Sequence, residues 1–185
     1  MSIETLRRTV LASLMAALAA VGAYLAVPIG PVPIVLTNLF VLLSGLLLGS
    51  RGGLISMGLY LLVGAIGLPV FSGGRGGLVH FLGPTGGYLF GYALGAWITG
   101  LISERSGGRM VLDIVAVVAG VLAIYACGVP WLKVITQMSW TKAFWVGMVP
   151  FLIGDGIKAA AALLLARAVR PILQRQLHTF SGAEG

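Results

Sequence analysis

The sequence predicts an all-α integral membrane protein of six transmembrane helices with both termini cytoplasmic, and three observations carry that prediction. Of 185 residues, 58% are hydrophobic and only 9% charged, where a soluble domain carries roughly 25% charged residues. Between Arg8 and Arg51 no side chain is charged, a span long enough for two crossings at about 20 residues each. The apolar stretches are continuous runs rather than alternating strands, so the spanning elements are helices and not barrel strands.

Hydropathy and the positions of Gly and Pro together divide the chain, read as one membrane domain over 1–185, into helices at about 9–27, 35–50, 53–68, 84–104, 110–128 and 142–169. The first carries Ala12, Ala16 and Ala20 at four-residue spacing, a small-residue stripe suited to close helix contact. That stripe serves either packing within the chain or docking of another membrane subunit. The helix runs into Pro28, Pro31 and Pro33 and not into a small-residue cleavage site, so it is read as a retained helix rather than a signal peptide. The prolines predict a stiff, extended outer loop. Helices two and three are short, and Gly52-Gly53 leaves room only for a tight turn between them.

Charge sets the predicted orientation. With a cytoplasmic N-terminus, Arg7, Arg8, Arg51, Arg105, Arg109, Arg167, Arg170 and Arg175 fall inside, Arg75, Lys133 and Lys142 fall outside, and Lys158 lies within helix six; this is the positive-inside pattern. The net charge of +7 is thereby assigned to topology and lipid headgroups, not to nucleic acid. The expected location is the inner or plasma membrane of a bacterial-type cell. One cysteine, Cys127, and two histidines, His80 and His178, allow neither an internal disulfide nor a cysteine metal site. No cofactor is expected.

The external loop from Pro69 to Pro84 is the most unusual stretch. From Gly73 to Tyr88 eight residues are Gly or Pro, so the backbone, at Gly74 for instance, is free to take positive φ and approach a ligand closely. It also keeps Phe71, Leu78, Val79, Phe81 and Leu82, which a solvated connector would not, and non-helical apolar backbone persists at membrane depth only when buried or lining a cavity. The loop is therefore predicted to be a lid. Gly83-Pro84-Thr85 suits a helix start with Pro in the first turn and Thr as cap, and the free N–H groups there, with Arg75, form a candidate seat for a carboxylate.

Helix six carries Asp155 and Lys158 three residues apart and so on one face. A charge at such depth costs about 2.5–3.5 kcal/mol even on the lenient insertion scale, which makes an ionisable pair there a binding-site candidate. Pro150 is expected to kink the helix one turn before the pair, and Gly154 and Gly156 to leave space beside it. Ionised Asp155 accepts N–H donors, whereas Lys158 donates to a carbonyl or carboxylate. Asp113, near Arg105 and Arg109, is read as an interfacial ion-pair partner rather than part of a proton relay. An enzyme would need a nucleophile and base or a metal cluster, and the sequence offers little toward either.

The Leu68-Pro69-Val70-Phe71 loop with its paired glycines, the run Gly83-Pro84-Thr85-Gly86-Gly87-Tyr88-Leu89, and Asp155-x-x-Lys158 together resemble the BioY family, the biotin-binding S-components of energy-coupling factor transporters. The resemblance spans about residues 8–170. It implies the six-helix S-component fold, a biotin site under the first and third loops, and coupling to a transmembrane T-subunit and two cytoplasmic ATPases, since no Gly-x-x-x-x-Gly-Lys-[Ser/Thr] motif occurs here. Homo-oligomers are compatible with this scheme. By the resemblance Asp155 and Lys158 are the polar binding pair, Tyr88 and the glycine loop with Gly74 belong to the lid, Arg75 is a further site candidate, and Ala12, Ala16 and Ala20 contact the T-subunit. Family members often carry Thr and Gln after the first loop. Here Thr37-Asn38 stands in that place, leaving either residue as the source of a substrate hydrogen bond, and leaving Lys158 or Arg75 to meet the biotin carboxylate. Riboflavin or thiamine is the competing substrate, disfavoured because the outer segments offer few aromatic residues for stacking.

Overall fold

The computed structural model describes residues 3–181, with the side chains of Glu4 and 173–181 outside that description; Arg175 and His178 therefore lie outside the described side chains. Helix α1 (Ile3–Tyr24) leads into a two-stranded antiparallel ribbon of β1 (Ala26–Val27) and β2 (Ile34–Val35), then α2 (Thr37–Ala65), α3 (Gly86–Glu104), α4 (Met110–Thr136), α5 (Trp140–Gly147) and α6 (Leu152–Ser181). Four stretches are long and apolar enough to cross a bilayer: Thr5–Tyr24, Thr37–Ala65, Met110–Thr136 and Trp140–Ile172. Large apolar side chains such as Leu14, Ile55, Leu62, Val111, Val118, Ile153 and Leu164 face outward, as a lipid-facing surface requires.

The prolines at 28, 31 and 33 do hold an open loop, but its flanks pair as the ribbon, Ala26 opposite Val35. Gly22 permits the approach of α1 to the start of α2: a Cβ there would lie 2.9 Å from the Thr37 nitrogen, and the Leu36 N–H donates to the Gly22 carbonyl at 3.0 Å.

The turn predicted at Gly52-Gly53 occurs at Gly49, which alone inside α2 leaves helical geometry with φ 73° and ψ −172°. The limbs fold back on each other. A Cβ on Gly53 would stand 3.1 Å from the Gly45 Cα. The break unpairs Ser50 N–H from Leu46 C=O, its helical partner by the i to i−4 rule. Both groups are satisfied from elsewhere: Ser50 N–H donates to Glu104 Oε1 at 2.7 Å, and Leu46 C=O accepts from Arg170 Nε and Nη2 at 3.2 and 3.0 Å. Arg170 also pairs with Asp113 and donates to Ser103 Oγ. Asp113 is thus an ion-pair partner, but of Arg170 and not of its sequence neighbours Arg105 and Arg109.

Other boundaries also move. Helix one begins at Ile3 and ends at Tyr24, and the helix predicted at 84–104 begins at Gly86 with Thr85 making no side-chain cap bond. The fifth predicted helix does not stop at Gly128 but continues through Pro130 to Thr136. Gly128 is a close-approach site and not a terminator, since a Cβ there would meet the Tyr88 ring at 2.3 Å. The sixth, predicted continuous over 142–169, is interrupted. Met148 takes φ −133° and ψ −53°, and Pro150 sits in the 3₁₀ turn Val149–Phe151, so proline opens a new helix where a kink was expected.

Candidate functional site

That interruption determines where Asp155 stands: in the first turn of α6, where the helix dipole favours a carboxylate, instead of midway along a continuous helix. Asp155 is 2% exposed and Lys158 8%. Lys158 Nζ donates to Asp155 Oδ1 at 2.8 Å. Asn38, at the start of α2, directs Nδ2 to both carboxylate oxygens at 3.1 Å, and the Tyr125 hydroxyl of α4 donates to Oδ2. A buried carboxylate is tolerable only when paired and hydrogen-bonded, and three helices supply those partners.

Above this cluster lies a cavity of about 390 Å³, within the range of small-ligand sites. Asn38, Thr37, Asp155 and Lys158 line it beside Tyr60, Tyr88, Tyr92, Tyr125, Phe71 and Phe151, while residues 28, 30–33 and 35 of the first loop, with Ser72, Gly73, Arg75, His80 and Gly83–Thr85, contribute to the wall. The polar groups converge among Asn38, Tyr125, Asp155 and Lys158. Arg75 is exposed and contributes the cationic group of the loop side.

The loop over the cavity is built around a buried aromatic ring. Phe71 is 3% exposed and meets Tyr60 and Phe81 edge to face, with centroids 5.6 Å apart in each case. Its backbone bridges Arg75, with Phe71 N–H donating to Arg75 C=O at 2.8 Å; the intervening Gly73 and Gly74 take φ 74° and 69°, which favours glycine. The loop is tied down at both ends, by the Tyr24 hydroxyl on Pro69 C=O and by Trp131 Nε1 on Gly83 C=O at 3.0 Å.

Several predicted residues have narrower positions than their sequence context implied. Thr37 lines the cavity but its hydroxyl donates to Ala19 C=O at 3.2 Å, which leaves Asn38 as the more available of the two. Tyr88 presents its ring, its hydroxyl being committed to Gly147 C=O at 2.6 Å. Gly74 does not line the cavity; it lies against the Tyr24 ring. Gly154 and Gly156 face open space outside the site. At the start of α3, Gly86 and Tyr88 N–H already bond to Gly83 and Thr85 carbonyls, so an anion seat there depends on Arg75. Ala12 and Ala16 are buried inside the chain and Ala20 is half-buried; Ser13 and Ala17 are among the exposed small residues of α1.

Sequence reasoning missed Tyr60, Tyr92, Tyr125 and Phe151 as lining residues. The four-residue spacing of Tyr88 and Tyr92 is a readable signal of a shared face; Tyr60 and Tyr125 sit in apolar runs that carry none. Four tyrosines and two phenylalanines in the wall also overturn the argument that aromatic surface is scarce here.

The chain matches the model of the BioY family over residues 1–175. It is 41% identical over 160 residues to the probable biotin transporter BioY of Pyrococcus horikoshii, covering 86% of this chain and 94% of that one. It is 43% identical over 174 residues to the biotin transporter BioY of Rhizobium etli, covering 88% and 92%. Among solved structures, the S-component for biotin from an ECF-type ABC transporter superposes with a TM-score of 0.86 at 29% identity, over 92% of this chain and 95% of that one.

Proposed function

The chain belongs to the BioY family, and from that premise we propose that it is the biotin-capturing membrane subunit of an ECF-type importer. It is a substrate-binding transport subunit and not an enzyme. The observation that carries the reading is the cavity whose apolar, tyrosine-rich wall ends on Asn38, Tyr125, Asp155 and Lys158. Biotin has matching parts: an apolar thioether ring, a ureido group with donors and an acceptor, and a carboxylate on a flexible chain. In this reading the ureido group enters the buried polar cluster and the carboxylate meets Arg75, a division that spares a second anion from burial beside Asp155. Tyr88 supplies wall, while Thr37 and Gly74 shape the surroundings.

The hairpin at Gly49 and the outward apolar surfaces support six crossings, and the arginine distribution supports cytoplasmic termini. The site is then on the outer side and the Arg170 cluster on the inner. Energy comes from a T-subunit with two ATPases. The docking face on α1 is better assigned to Ser13 and Ala17 than to Ala12, Ala16 and Ala20, which are turned toward α2 in whole or part. Anionic lipid contacts the inner arginines, and a second copy of the chain is compatible with the apolar exterior.

Isothermal titration of purified, ligand-stripped protein tests the proposal. Biotin is expected to bind tightly, riboflavin and thiamine not at all, and Asp155→Asn to weaken biotin while the melting temperature shows a folded protein. A folded wild type that ignores biotin but binds either other vitamin would transfer the aromatic cavity to that substrate.

A further inference from the structure

We infer that His80 makes biotin capture proton-linked: on the loop side of the cavity its imidazole joins Arg75 as a second cation for the ligand carboxylate, so that affinity rises as the external medium turns mildly acidic. The inference rests on the biotin reading above, with the carboxylate toward the loop, and adds to it a regulation of the site by pH.

His80 sits in the 3₁₀ turn Leu78–Phe81, is half-buried and lines the cavity. Its ring meets Phe71 edge to face with centroids 6.1 Å apart, and the Phe71 backbone in turn bridges Arg75, so one buried ring supports both groups. Among the described residues neither the imidazole nor the Arg75 guanidinium makes a hydrogen bond or an ion pair.

The rest of the cavity offers them no anion. Of the five acidic residues in the chain only Asp155 lines it, and Lys158, Asn38 and Tyr125 already hold that carboxylate. The charged and titratable groups that share the cavity with His80 are Arg75 on its own loop, Tyr60 on α2, Tyr88 and Tyr92 on α3, Tyr125 on α4, and Asp155 with Lys158 on α6. The last two balance each other, and tyrosine is neutral near pH 7. The loop side is therefore positive through Arg75 alone, or through Arg75 and His80 when the imidazole is protonated. The counter-ion that is missing is the one an anionic ligand brings.

Histidine is the side chain whose ordinary pKa, about 6.5, lies in the mildly acidic range. A carboxylate beside an imidazole favours its protonated form, so seating the ligand draws in a proton, and by reciprocity a proton already present tightens binding. The added affinity is complete below the pH at which the empty site takes up that proton, and is lost as pH rises past the value at which the occupied site releases it. The ligand closes the window from below, because a carboxyl group loses its charge at about pH 4–5.

Titrations of wild type and His80→Gln with biotin and with its uncharged primary amide, at about pH 5.5 and about pH 8 on either side of the histidine range, test the inference. Wild type is expected to bind biotin roughly fivefold more tightly at the lower pH, a modest gain because the half-buried imidazole is partly screened by solvent, with affinity for the amide constant. In His80→Gln both ligands give flat profiles, while the preference for biotin over the amide that Arg75 supplies remains. A second measurement needs no variant: titrated near neutral pH in buffers of different ionisation enthalpy, wild type takes up a fraction of a proton with biotin and none with the amide. Equal biotin affinity of wild type at the two pH values, or a pH dependence that persists in folded His80→Gln or appears equally with the amide, overturns the inference and leaves biotin capture intact. Should His80→Gln not fold, absence of proton uptake by wild type overturns it alone. A folded wild type that ignores biotin at both pH values overturns both readings.

Discussion

Arg170 of α6 donates from two guanidinium nitrogens to the carbonyl of Leu46, the acceptor that the break at Gly49 leaves without its helical donor. The same guanidinium holds Asp113 and Ser103, so one side chain joins α2, α3, α4 and α6 at the end of the bundle away from the cavity. Arg170→Met leaves a buried carboxylate and a buried carbonyl unpaired. The expected cost is about 3 kcal/mol of stability, read as a lower melting temperature in detergent, with biotin affinity of the folded protein changed by less than about threefold. Arg170→Lys recovers only part of the stability, because one ammonium cannot reproduce the planar fork. An equal loss of affinity and stability would contradict the separation of the two ends.

Gly49 is the second half of that device. Its φ of 73° with ψ of −172° lies in a region essentially confined to glycine, and a Cβ would stand 2.2 Å from Glu104 Oε1, the acceptor of the Ser50 N–H. Gly49→Ala therefore strains the backbone and displaces the group that caps the second limb, a combined loss of about 2–4 kcal/mol. Gly58→Ala is the control, since its Cβ meets nothing within 4 Å and Ala favours a helix interior over Gly by about 0.5–1 kcal/mol. Thermal unfolding of the two variants should move in opposite directions.

The limits of the sequence reading follow from these same residues. Membrane character, the irregular glycine-rich loop beside the cavity and the pairing of Asp155 with Lys158 were legible because each is local: absence of charge, clustered Gly and Pro, and two ionisable residues three apart in an apolar run. The ion pair of Asp113 was not, because its partner is 57 residues away while two closer arginines offered themselves. Gly49 was misplaced by a few residues because Gly49-Ser50-Arg51-Gly52-Gly53 contains several glycines able to turn; only the tertiary contact with Glu104 selects one. Tyr60 and Tyr125 reach the site through the folding back of α2 and the approach of α4, relationships with no sequence period. Asn38 was named, but that it meets Asp155 across 117 positions depends on the whole bundle.

Asp155 and Lys158 should behave as a pair in stability and separately in binding. Lys158→Met leaves a buried carboxylate without its cation and is expected to cost about 3–5 kcal/mol. The double variant Asp155→Asn, Lys158→Met removes both charges and should regain much of that stability, because neutralising a buried pair is far less costly than breaking it. Biotin affinity should not return with it. Melting temperatures and titrations on the three variants give the full cycle; recovery of binding in the double variant would reduce the pair to scaffolding.

Arg75 decides which way biotin lies. The residue is exposed, so its attraction for a carboxylate is moderate and screened by salt, whereas Lys158 is buried and already engaged by Asp155. If Arg75 meets the carboxylate, wild type should prefer biotin over its uncharged primary amide by about fivefold at low ionic strength. The preference should shrink in 1 M salt, where the screening length falls to about 3 Å, and disappear in Arg75→Gln. Contact with Lys158 predicts the reverse: a preference that persists in high salt, survives Arg75→Gln and is lost in Lys158→Met. Titration of the two ligands at two salt concentrations separates these orientations, because a cation open to solvent and one enclosed in the bundle are screened so differently.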